Sequence, residues 1–309
     1  MYMLIKSYLK DSHQRVKFHN KVSNWDKINI GVPQGSVLGP LLFFIYVNDL
    51  PSSIPYTLAG ENSSITLFAD DTSVITNDPD LKKFERNLNI NFKIIMECLT
   101  PTFYHWTLTK RYYMQFINKN KISNNTNIEY DNKLITQTNF VKFLGVMVDK
   151  LSWKQYTDTI IPKLNKACFI IRRLKLYLTN YTLKMVYYAF FHPIMSYNLI
   201  FWGNSTNSKR VFKLQKKAIR IIMGAKNRLS HRGFFRQLKI LPLYAQYIYS
   251  LLTFVVNNRK LFLDNAELYT INTRNSHNLH LPLPHSTKFQ KSVHDAGGSM
   301  ALQSFANTH

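Results

Sequence analysis

Carboxylates are scarce in this chain: 17 aspartates and glutamates stand against 40 lysines and arginines in 309 residues, a formal net charge of +23. The shortage is sharpest between Asp158 and Asp264, where no acid occurs while 19 lysines and arginines do. Such a region disfavours cationic partners and suits polyanions. Cysteine is scarcer still. Cys98 and Cys168 lie far apart and outside any Cys-x-x-Cys spacing, which argues against a disulfide framework or a cysteine zinc site and fits a reducing, intracellular setting. No basic leader followed by a long apolar stretch opens the sequence, and apolar runs such as residues 41–47 are far too short to cross a bilayer, so no membrane partner is expected. A P-loop, a dinucleotide fingerprint and internal repeats are also lacking. What is present is a 45% hydrophobic, globular composition with length enough for about two domains.

Residues 1–150 mix strand and helix patterns. Val16-Lys17-Phe18 and Lys27-Ile28-Asn29-Ile30 read as short strands around a turn at Asn20. Val37, Leu38, Leu41, Leu42, Ile45 and Tyr46 recur near helical spacing behind Ser36, a good cap residue, with Pro40 in the first turn where its missing donor costs little. Leu81, Phe84, Leu88 and Phe92 give the apolar stripe of a helix over 79–97, and residues 112–116 read as a strand. Phe143-Leu144-Gly145-Val146 reads as an apolar strand whose glycine permits close backbone approach.

After Asp149 the pattern turns helical and aromatic, with Trp153, Tyr177, Tyr181, Tyr187, Phe191 and Trp202 among a dense set that is mostly core. A few of these among basic residues could stack on bases. Within the acid-free zone, Val211, Leu214, Ala218 and Ile222 mark an apolar stripe, and Arg210, Lys213, Lys217 and Arg220 a basic one at the same spacing. One face would pack and the other would grip nucleic-acid phosphates; a solvated basic helix and a membrane-surface helix are the other readings of such a pattern. Beyond about Leu261 the composition shifts to Asn, His, Ser, Thr and Pro, and Leu281-Pro282-Leu283-Pro284 is incompatible with helix, so 261–309 reads as a loosely ordered tail.

Two motifs carry chemistry. Gly31-Val32-Pro33-Gln34-Gly35-Ser36-Val37-Leu38-Gly39-Pro40 is followed, after an apolar helix and a polar loop, by Leu67-Phe68-Ala69-Asp70-Asp71. Ile65, Leu67 and Phe68 on one side and Val74 and Ile75 on the other read as strands, with Asp70, Asp71 and Thr72 as the hairpin tip. Alternation along the strand sends the two carboxylates to opposite faces, one free to reach a divalent ion and the other to support the turn or complete the coordination. Each motif alone is also an ordinary turn. Their order and spacing carry the specificity.

That order, with Ser7-Tyr8-Leu9, Gln14-Arg15-Val16, Ile45-Tyr46-Val47-Asn48-Asp49-Leu50-Pro51, Phe143-Leu144-Gly145 and Leu151-Ser152-Trp153, resembles the reverse transcriptases of non-LTR (LINE-type) retrotransposons over residues 5–249, most of all the jockey-like elements. The resemblance implies an α+β fold: a partial polymerase palm of antiparallel strands and helices over 1–150, then an all-α thumb- and connection-like region over 151–260. It implies that Asp70 and Asp71 hold Mg²⁺ or Mn²⁺, that Pro33, Gln34, Gly35 and Ser36 meet template and nucleotide, and that Phe143, Leu144 and Gly145 form the primer grip. Lys110 would lie near the nucleotide phosphates as a proton donor to pyrophosphate, although Thr107 and residues 101–104 depart from the family pattern around it. The implied partners are an RNA template, a DNA primer and a dNTP, and the implied reaction is attack of the primer 3′-hydroxyl on the α-phosphate.

The family supplies a further metal-binding aspartate from an upstream segment of the form Asp-x-x-x-Ala-Phe-Asp, and these 309 residues contain none. Asp11 and Asp26, ahead of Gly31, sit in no apolar strand. The expectation is an internal piece of a longer polyprotein, lacking the fingers and first palm strand, with an incomplete two-metal site and no activity of its own. The second reading, from a different class, is a catalytically dead nucleic-acid-binding remnant.

Overall fold

The structure, a computed structural model, describes residues 2–10, 12–28, 35–48, 63–69, 71–78, 80–99, 112–116, 128–130, 133–225, 230, 232–269, 276, 278–281, 283 and 286–306. It is a mixture of helices and short, mostly antiparallel strand pairs, and it divides into two compact units, residues 1–113 with 117–137 and residues 114–116 with 138–309.

In the first unit, α1 (Tyr2–Leu9) precedes a ribbon of β1 (His13–Gln14), β2 (Lys17–Phe18), β3 (Lys21–Val22) and β4 (Asp26–Lys27), in which β2 pairs with β3 and β1 with β4, both antiparallel. The turn falls at His19-Asn20, where the sequence pattern places it, and the strand returning from it is Lys21–Val22, followed by Asp26–Lys27 opposite His13–Gln14. Residues 29 and 30 lie outside the described residues. Helix α2 (Leu38–Val47) starts as its sequence directs: Ser36 Oγ accepts the Gly39 N–H at 3.1 Å, and Tyr8 donates its hydroxyl to the same oxygen. The helix is apolar all round, and Leu41, Phe44 and Ile45 are exposed.

Strands β5 (Ser63–Phe68) and β6 (Asp71–Thr76) form an antiparallel hairpin with Ile65 opposite Val74, Leu67 opposite Thr72 and Phe68 opposite Asp71. Strand period puts Ile65, Leu67 and Val74 on one face, where Ile94 and Ile95 of α3 (Leu81–Leu99) cover them. The buried face of α3 is not the expected apolar stripe. Phe84, Leu88 and Phe92 are half-buried flanks, while Asn87 and Asn91 are buried with Ile95. The cause is the polar end of the hairpin: Asn91 Nδ2 donates to Ser63 Oγ (3.1 Å) and Thr76 Oγ1 (3.4 Å), and Asn87 Nδ2 to Asp78 Oδ2 (3.4 Å). Asn91 gives the half-buried Ser63 and Thr76 hydroxyls a donor that a leucine there would not supply. The unit ends with β7 (Tyr112–Tyr113), β8 (Glu129–Tyr130), β9 (Lys133–Leu134) and β10 (Thr136–Gln137), β8 pairing antiparallel with β9 and β7 parallel with β10. The strand expected over 112–116 therefore stops at Tyr113.

The second unit opens with β11 (Phe140–Phe143) and β12 (Val146–Asp149), an antiparallel hairpin, and continues as helices. These are α4 (Lys154–Leu174), α5 (Asn180–Val186), α6 (His192–Ser196), α7 (Leu199–Trp202), α8 (Ser208–Met223), α9 (Arg232–Leu238) and α10 (Leu243–Asn257). Leu164 and Ile171 of α4, Met195 of α6, Trp202 of α7 and Ile219 of α8 are fully buried in one core. Between α5 and α6 the residues Tyr187–Phe191 make a wide π turn in which the His192 N–H reaches Tyr187 O. Pro193 explains it, because proline lacks an N–H and its ring clashes with the carbonyl four residues back, so the chain widens there. The turn buries Tyr187 and Phe191 and stacks their rings with centres 5.2 Å apart.

Gln215 of α8 is a buried amide with its donors and acceptor engaged. Its Nε2 donates to Tyr187 Oη (3.0 Å) and Leu241 O (2.9 Å), and its Oε1 accepts the Leu243 N–H (2.8 Å), tying α8 to the π turn and to the start of α10. Gly203, after α7, is also buried; a Cβ there would lie 2.4 Å from Tyr247 Cδ2 and 2.8 Å from Leu199 O. Gly203→Ala is therefore expected to cost about 1–3 kcal/mol through overpacking. Thermal melting of that variant checks it, and an unchanged midpoint contradicts so close an approach.

After residue 261 the structure departs from the expectation of a loosely ordered tail. Helices α11 (Asn265–Leu268), α12 (Thr287–Gln290) and α13 (Val293–Ala306) follow, and α13 packs on α10. Gly297 and Gly298 allow it: Cβ atoms there would stand 3.0 Å from Val255 and 2.6 Å from Leu281. Among the described residues no single helix is long and apolar enough to cross a membrane. Arg232–Leu238 and Leu243–Asn257, bent by 53°, reach that length together, but Phe235, Tyr247 and Leu251 of this pair are core residues.

Candidate active site and nucleic-acid interface

In the first unit the acidic motif forms a hairpin, one residue out of the expected register. Phe68 pairs with Asp71, so the chain leaves β5 at Ala69, and Asp71 and Thr72 already belong to β6. A tight hairpin needs positive φ in its turn. Ala69 supplies it at +50° without being glycine, asparagine or aspartate. Asp71 lies opposite Phe68, on the sheet face away from α3, and both side chains are exposed. Asp70 lies outside the described residues, as do Pro33, Gln34 and Lys110.

Gly35 and Ser36 of the first motif are described. Gly35 has φ +83°, a conformation that explains a glycine there, and no atom lies within 4 Å of where a Cβ would be. Ser36 is committed to capping α2 and to Tyr8, so its hydroxyl already has structural work. Among the described residues no group of three or more His, Cys, Asp or Glu could by itself hold a metal ion.

In the second unit Phe143, Leu144 and Gly145 come together at a corner rather than along a strand. Leu144 and Gly145 are the hairpin turn between β11 and β12, with φ +46° and +79°. Tyr197 braces it by donating its hydroxyl to Leu144 O at 2.6 Å, and a Cβ on Gly145 would touch that hydroxyl at 3.5 Å.

At the other end of the hairpin, Asp149 starts α4. Its carboxylate accepts the N–H groups of Ser152 (2.7 Å), Trp153 (2.8 Å) and Lys154 (3.0 Å) and the Ser152 hydroxyl (2.7 Å), while Leu151 and Trp153 sit at φ +63° and +59°. Burial works to raise its pKa, and these hydrogen bonds outweigh burial and hold it below the usual carboxylate value. The sequence motif Leu151-Ser152-Trp153 is thus the loop that this aspartate holds.

The basic stripe on α8 is present but not uniform. Lys213 and Lys217 are exposed, and so is Lys209, one turn earlier. Arg210 is engaged instead: its Nη1 lies 2.5 Å from Asp158 Oδ1 on α4. Arg220 is half-buried with its Nε out of solvent. The opposite face is buried through Val211, Ala218 and Ile222 as expected, with Gln215 and Ile219 at its centre. Lys209 and Lys216 were available to the same helical count, since 209, 213, 216 and 220 share a face. Lys216 lies over the Phe212 ring at 4.8 Å.

The aromatics of this unit divide sharply. Trp202, Tyr187 and Phe191 are core, whereas Tyr177 and Tyr181 are 83% and 75% exposed. His192 is half-buried between Tyr187 and Tyr188, and that burial lowers its pKa. Cys168 is buried, and that burial pushes its thiol up to about 11, well away from nucleophilic use.

Residues 1–148 match the family model of reverse transcriptase (RNA-dependent DNA polymerase). The chain is similar to the RNA-directed DNA polymerase from mobile element jockey of Drosophila melanogaster, 27% identical over 262 residues, which covers 78% of this chain and 27% of that protein. It is also similar to two further Drosophila melanogaster proteins: a probable RNA-directed DNA polymerase from transposon X-element (28% over 259 residues, 78% of this chain and 27% of the relative) and another from transposon BS (29% over 240 residues, 72% and 25%). The chain thus spans about a quarter of the length of these relatives. No solved structure matches. With the Gly35-Ser36 turn leading into α2 and Asp71 opening β6, residues 1–148 match the reverse transcriptase family, and the chain is similar to RNA-directed DNA polymerases of jockey-like mobile elements.

Proposed function

We propose that this chain contributes palm and thumb segments to an RNA-directed DNA polymerase that extends a DNA primer on an RNA template. In this reading residues 1–150 are the palm portion and 151–260 a thumb- and connection-like region, with 261–309 extending it through α13. The observation that carries it is the ordered pair of motifs within the matched region: the Gly35 turn into α2, and the hairpin that presents Asp71 to solvent.

Reverse transcriptases generally use divalent metal ions, and the donor chemistry here fits one. Magnesium takes oxygen ligands, commonly one or two carboxylates together with substrate phosphates, and Asp71 offers an exposed carboxylate next to Asp70 in sequence. Asp70 and Asp71 would hold the ion, whose chemistry when bound would be to activate the attacking hydroxyl and stabilise the leaving oxygen. Gln34 and Gly35 would meet the template and nascent base pair, with Pro33 and Ser36 shaping the turn. Lys110 would donate a proton to pyrophosphate. The braced Phe143-Leu144-Gly145 corner would hold the primer end, and a rigid corner suits that role because positioning within a fraction of an ångström governs in-line attack.

Lys209, Lys213 and Lys217 on α8 supply the charge for the template–primer backbone, with Arg210 and Arg220 partly committed within the fold. The 309-residue chain should therefore bind an RNA–DNA duplex with an affinity that falls steeply with salt. Replacing Lys209, Lys213 and Lys217 with Gln should weaken it about tenfold or more at moderate salt and lower the log–log slope by roughly 0.7–0.9 for each phosphate no longer neutralised. Fluorescence anisotropy across a KCl series measures both quantities. An unchanged slope would show that these lysines only face solvent.

A further inference from the structure

The ribbon β1–β4 includes Gln14-Arg15-Val16 of the family-like pattern but none of the residues proposed to bind metal, nucleotide, template or primer, and every residue from His13 to Lys27 is exposed. A two-stranded ribbon without a buried face is marginal by itself in water. Packing therefore constrains its side chains little, and what they offer to a partner becomes the informative question.

The register sorts them. Lys17 pairs with Val22 and Phe18 with Lys21, and the pairing continues to Val16 and Ser23, where the Ser23 N–H donates to Val16 O and the Val16 N–H to Ser23 Oγ, both at 2.9 Å. Gln14 pairs with Asp26 and His13 with Lys27. Asn24 and Trp25 together therefore face Arg15, a β-bulge. Alternation places His13, Arg15 and Lys17 on one face, with Lys27 across from His13, and sends Gln14, Val16, Phe18 and Asp26 to the other. Asp26, the ribbon's single acid, is on the second face together with Lys21, which pairs with Phe18, so the first face carries His13, Arg15, Lys17 and Lys27 and no acid. Trp25 joins the cationic face, since the Arg15 guanidinium lies 4.6 Å from the centre of its ring, and the indole is 61% exposed.

Residues i and i+2 on a strand stand about 7 Å apart, similar to successive phosphates along an extended nucleic-acid strand. A row of cations at that interval with an exposed indole among them matches a backbone whose bases are unpaired, because a duplex would hide the π-faces that the indole could stack on. We propose that this face of the β1–β4 ribbon is a contact surface for single-stranded nucleic acid, with Arg15, Lys17 and Lys27 on its phosphates and Trp25 stacked on a base. The proposal rests on the reading of the chain as part of a polymerase that handles an RNA template, and it adds a single-strand surface to the duplex surface assigned to α8.

The test uses the 309-residue chain, a labelled single-stranded RNA, a labelled RNA–DNA duplex and phosphatidylserine vesicles. The variants are the triple Arg15→Gln, Lys17→Gln, Lys27→Gln and the single Trp25→Ala, whose exposed positions should leave the circular dichroism and melting of the chain unchanged. The triple variant should bind single-stranded RNA about tenfold more weakly or worse, with a salt slope lower by about 0.7 for each phosphate left without its cation. Trp25→Ala should lose about tenfold with little change of slope. Duplex affinity should stay within about twofold in both, and ultraviolet crosslinking should attach the single strand to the peptide spanning 12–28. Unchanged single-strand affinity in both variants, with duplex binding still dependent on the α8 lysines, overturns the ribbon proposal and leaves the polymerase reading standing. A wild-type chain that binds neither nucleic acid overturns the polymerase reading and this one with it. Vesicle binding that falls in the triple variant while RNA binding holds makes the surface a lipid contact and overturns it as well.

Discussion

Given RNA template, DNA primer, dNTPs and Mg²⁺, the 309-residue chain is expected to extend no primer above background. Two-metal phosphoryl transfer needs ligands on both ions, and the chain's acidic motif supplies Asp70 and Asp71 side by side while no Asp-x-x-x-Ala-Phe-Asp segment occurs in these residues. Of the earlier acids, Asp26 sits at the start of the exposed strand β4, a poor place to fix a metal against a hairpin tip. Fusing such a segment, with its surrounding fingers, from a jockey-type polymerase ahead of this chain should bring incorporation above background. That activity should vanish in Asp70→Ala, survive in part in Asp71→Ala, and fall about a hundredfold in Lys110→Ala if the lysine is the general acid. Robust extension by the unfused chain, lost in Asp70→Ala, would mean that another acid such as Asp26 or Asp49 completes the site. A folded fusion that binds template–primer and incorporates nothing would favour the dead-remnant reading, and the irregular stretch before Lys110 would be the place to look for the fault.

Much of the first unit is legible in its pattern, and the departures have local causes. Alternation in 63–76 identifies the β5–β6 hairpin, but its corner lies one residue early because Ala69, which carries no turn signal, takes the positive φ that glycine or asparagine usually advertises. The same effect hides the β11–β12 corner: Leu144 occupies the first turn position, so 143–146 reads as one strand. Long-range pairing hides other features. Gln215 is absent from the apolar stripe that the sequence marks on α8, yet it is buried there: its partners Tyr187, Leu241 and Leu243 lie 26 to 28 residues away in sequence and satisfy both ends of its amide within the core. Arg210 reads as a free cation, and its partner Asp158 is 52 residues distant. Nothing in the local pattern marks Gly297 and Gly298, yet added Cβ atoms there would crowd Val255 of α10 and Leu281, so their bareness is what lets α13 dock. Periodicity records which face is buried; it does not record which polar groups meet there.

Asp149→Asn is expected to lower the stability of the helical unit by about 2–4 kcal/mol at pH 7, the cost of leaving several helix-start N–H groups without a charged acceptor. The native carboxylate uses both oxygens: Oδ1 receives the Ser152 and Trp153 N–H groups, and Oδ2 receives the Lys154 N–H and the Ser152 hydroxyl. Asparagine keeps the shape but turns one oxygen into an NH₂ that faces the Lys154 donor. The loop needs that anchor, since Leu151 and Trp153 both occupy the left-handed region that bulky side chains avoid. From elsewhere in the chain its backbone accepts hydrogen bonds of Asn207 Nδ2 to Ser152 O (3.2 Å) and Lys288 Nζ to Lys150 O (3.2 Å), both at exposed positions. Because the folded pKa of Asp149 is lowered, its ionised form contributes fully above the unfolded value of about 4 and loses that contribution as pH falls through the folded value. The melting-temperature gap between wild type and Asp149→Asn should accordingly be widest and flat from neutral pH down to about 5, then close below about pH 4 as the wild type itself protonates. A gap that stays constant to about pH 3 would show that shape, not charge, is what Asp149 gives the start of α4. A gap near zero at pH 7 would show that the loop keeps its left-handed residues without the carboxylate, and that the corner leading from the β11–β12 hairpin into the helices is fixed by packing of Trp153, which stacks on Phe201 at 6.2 Å.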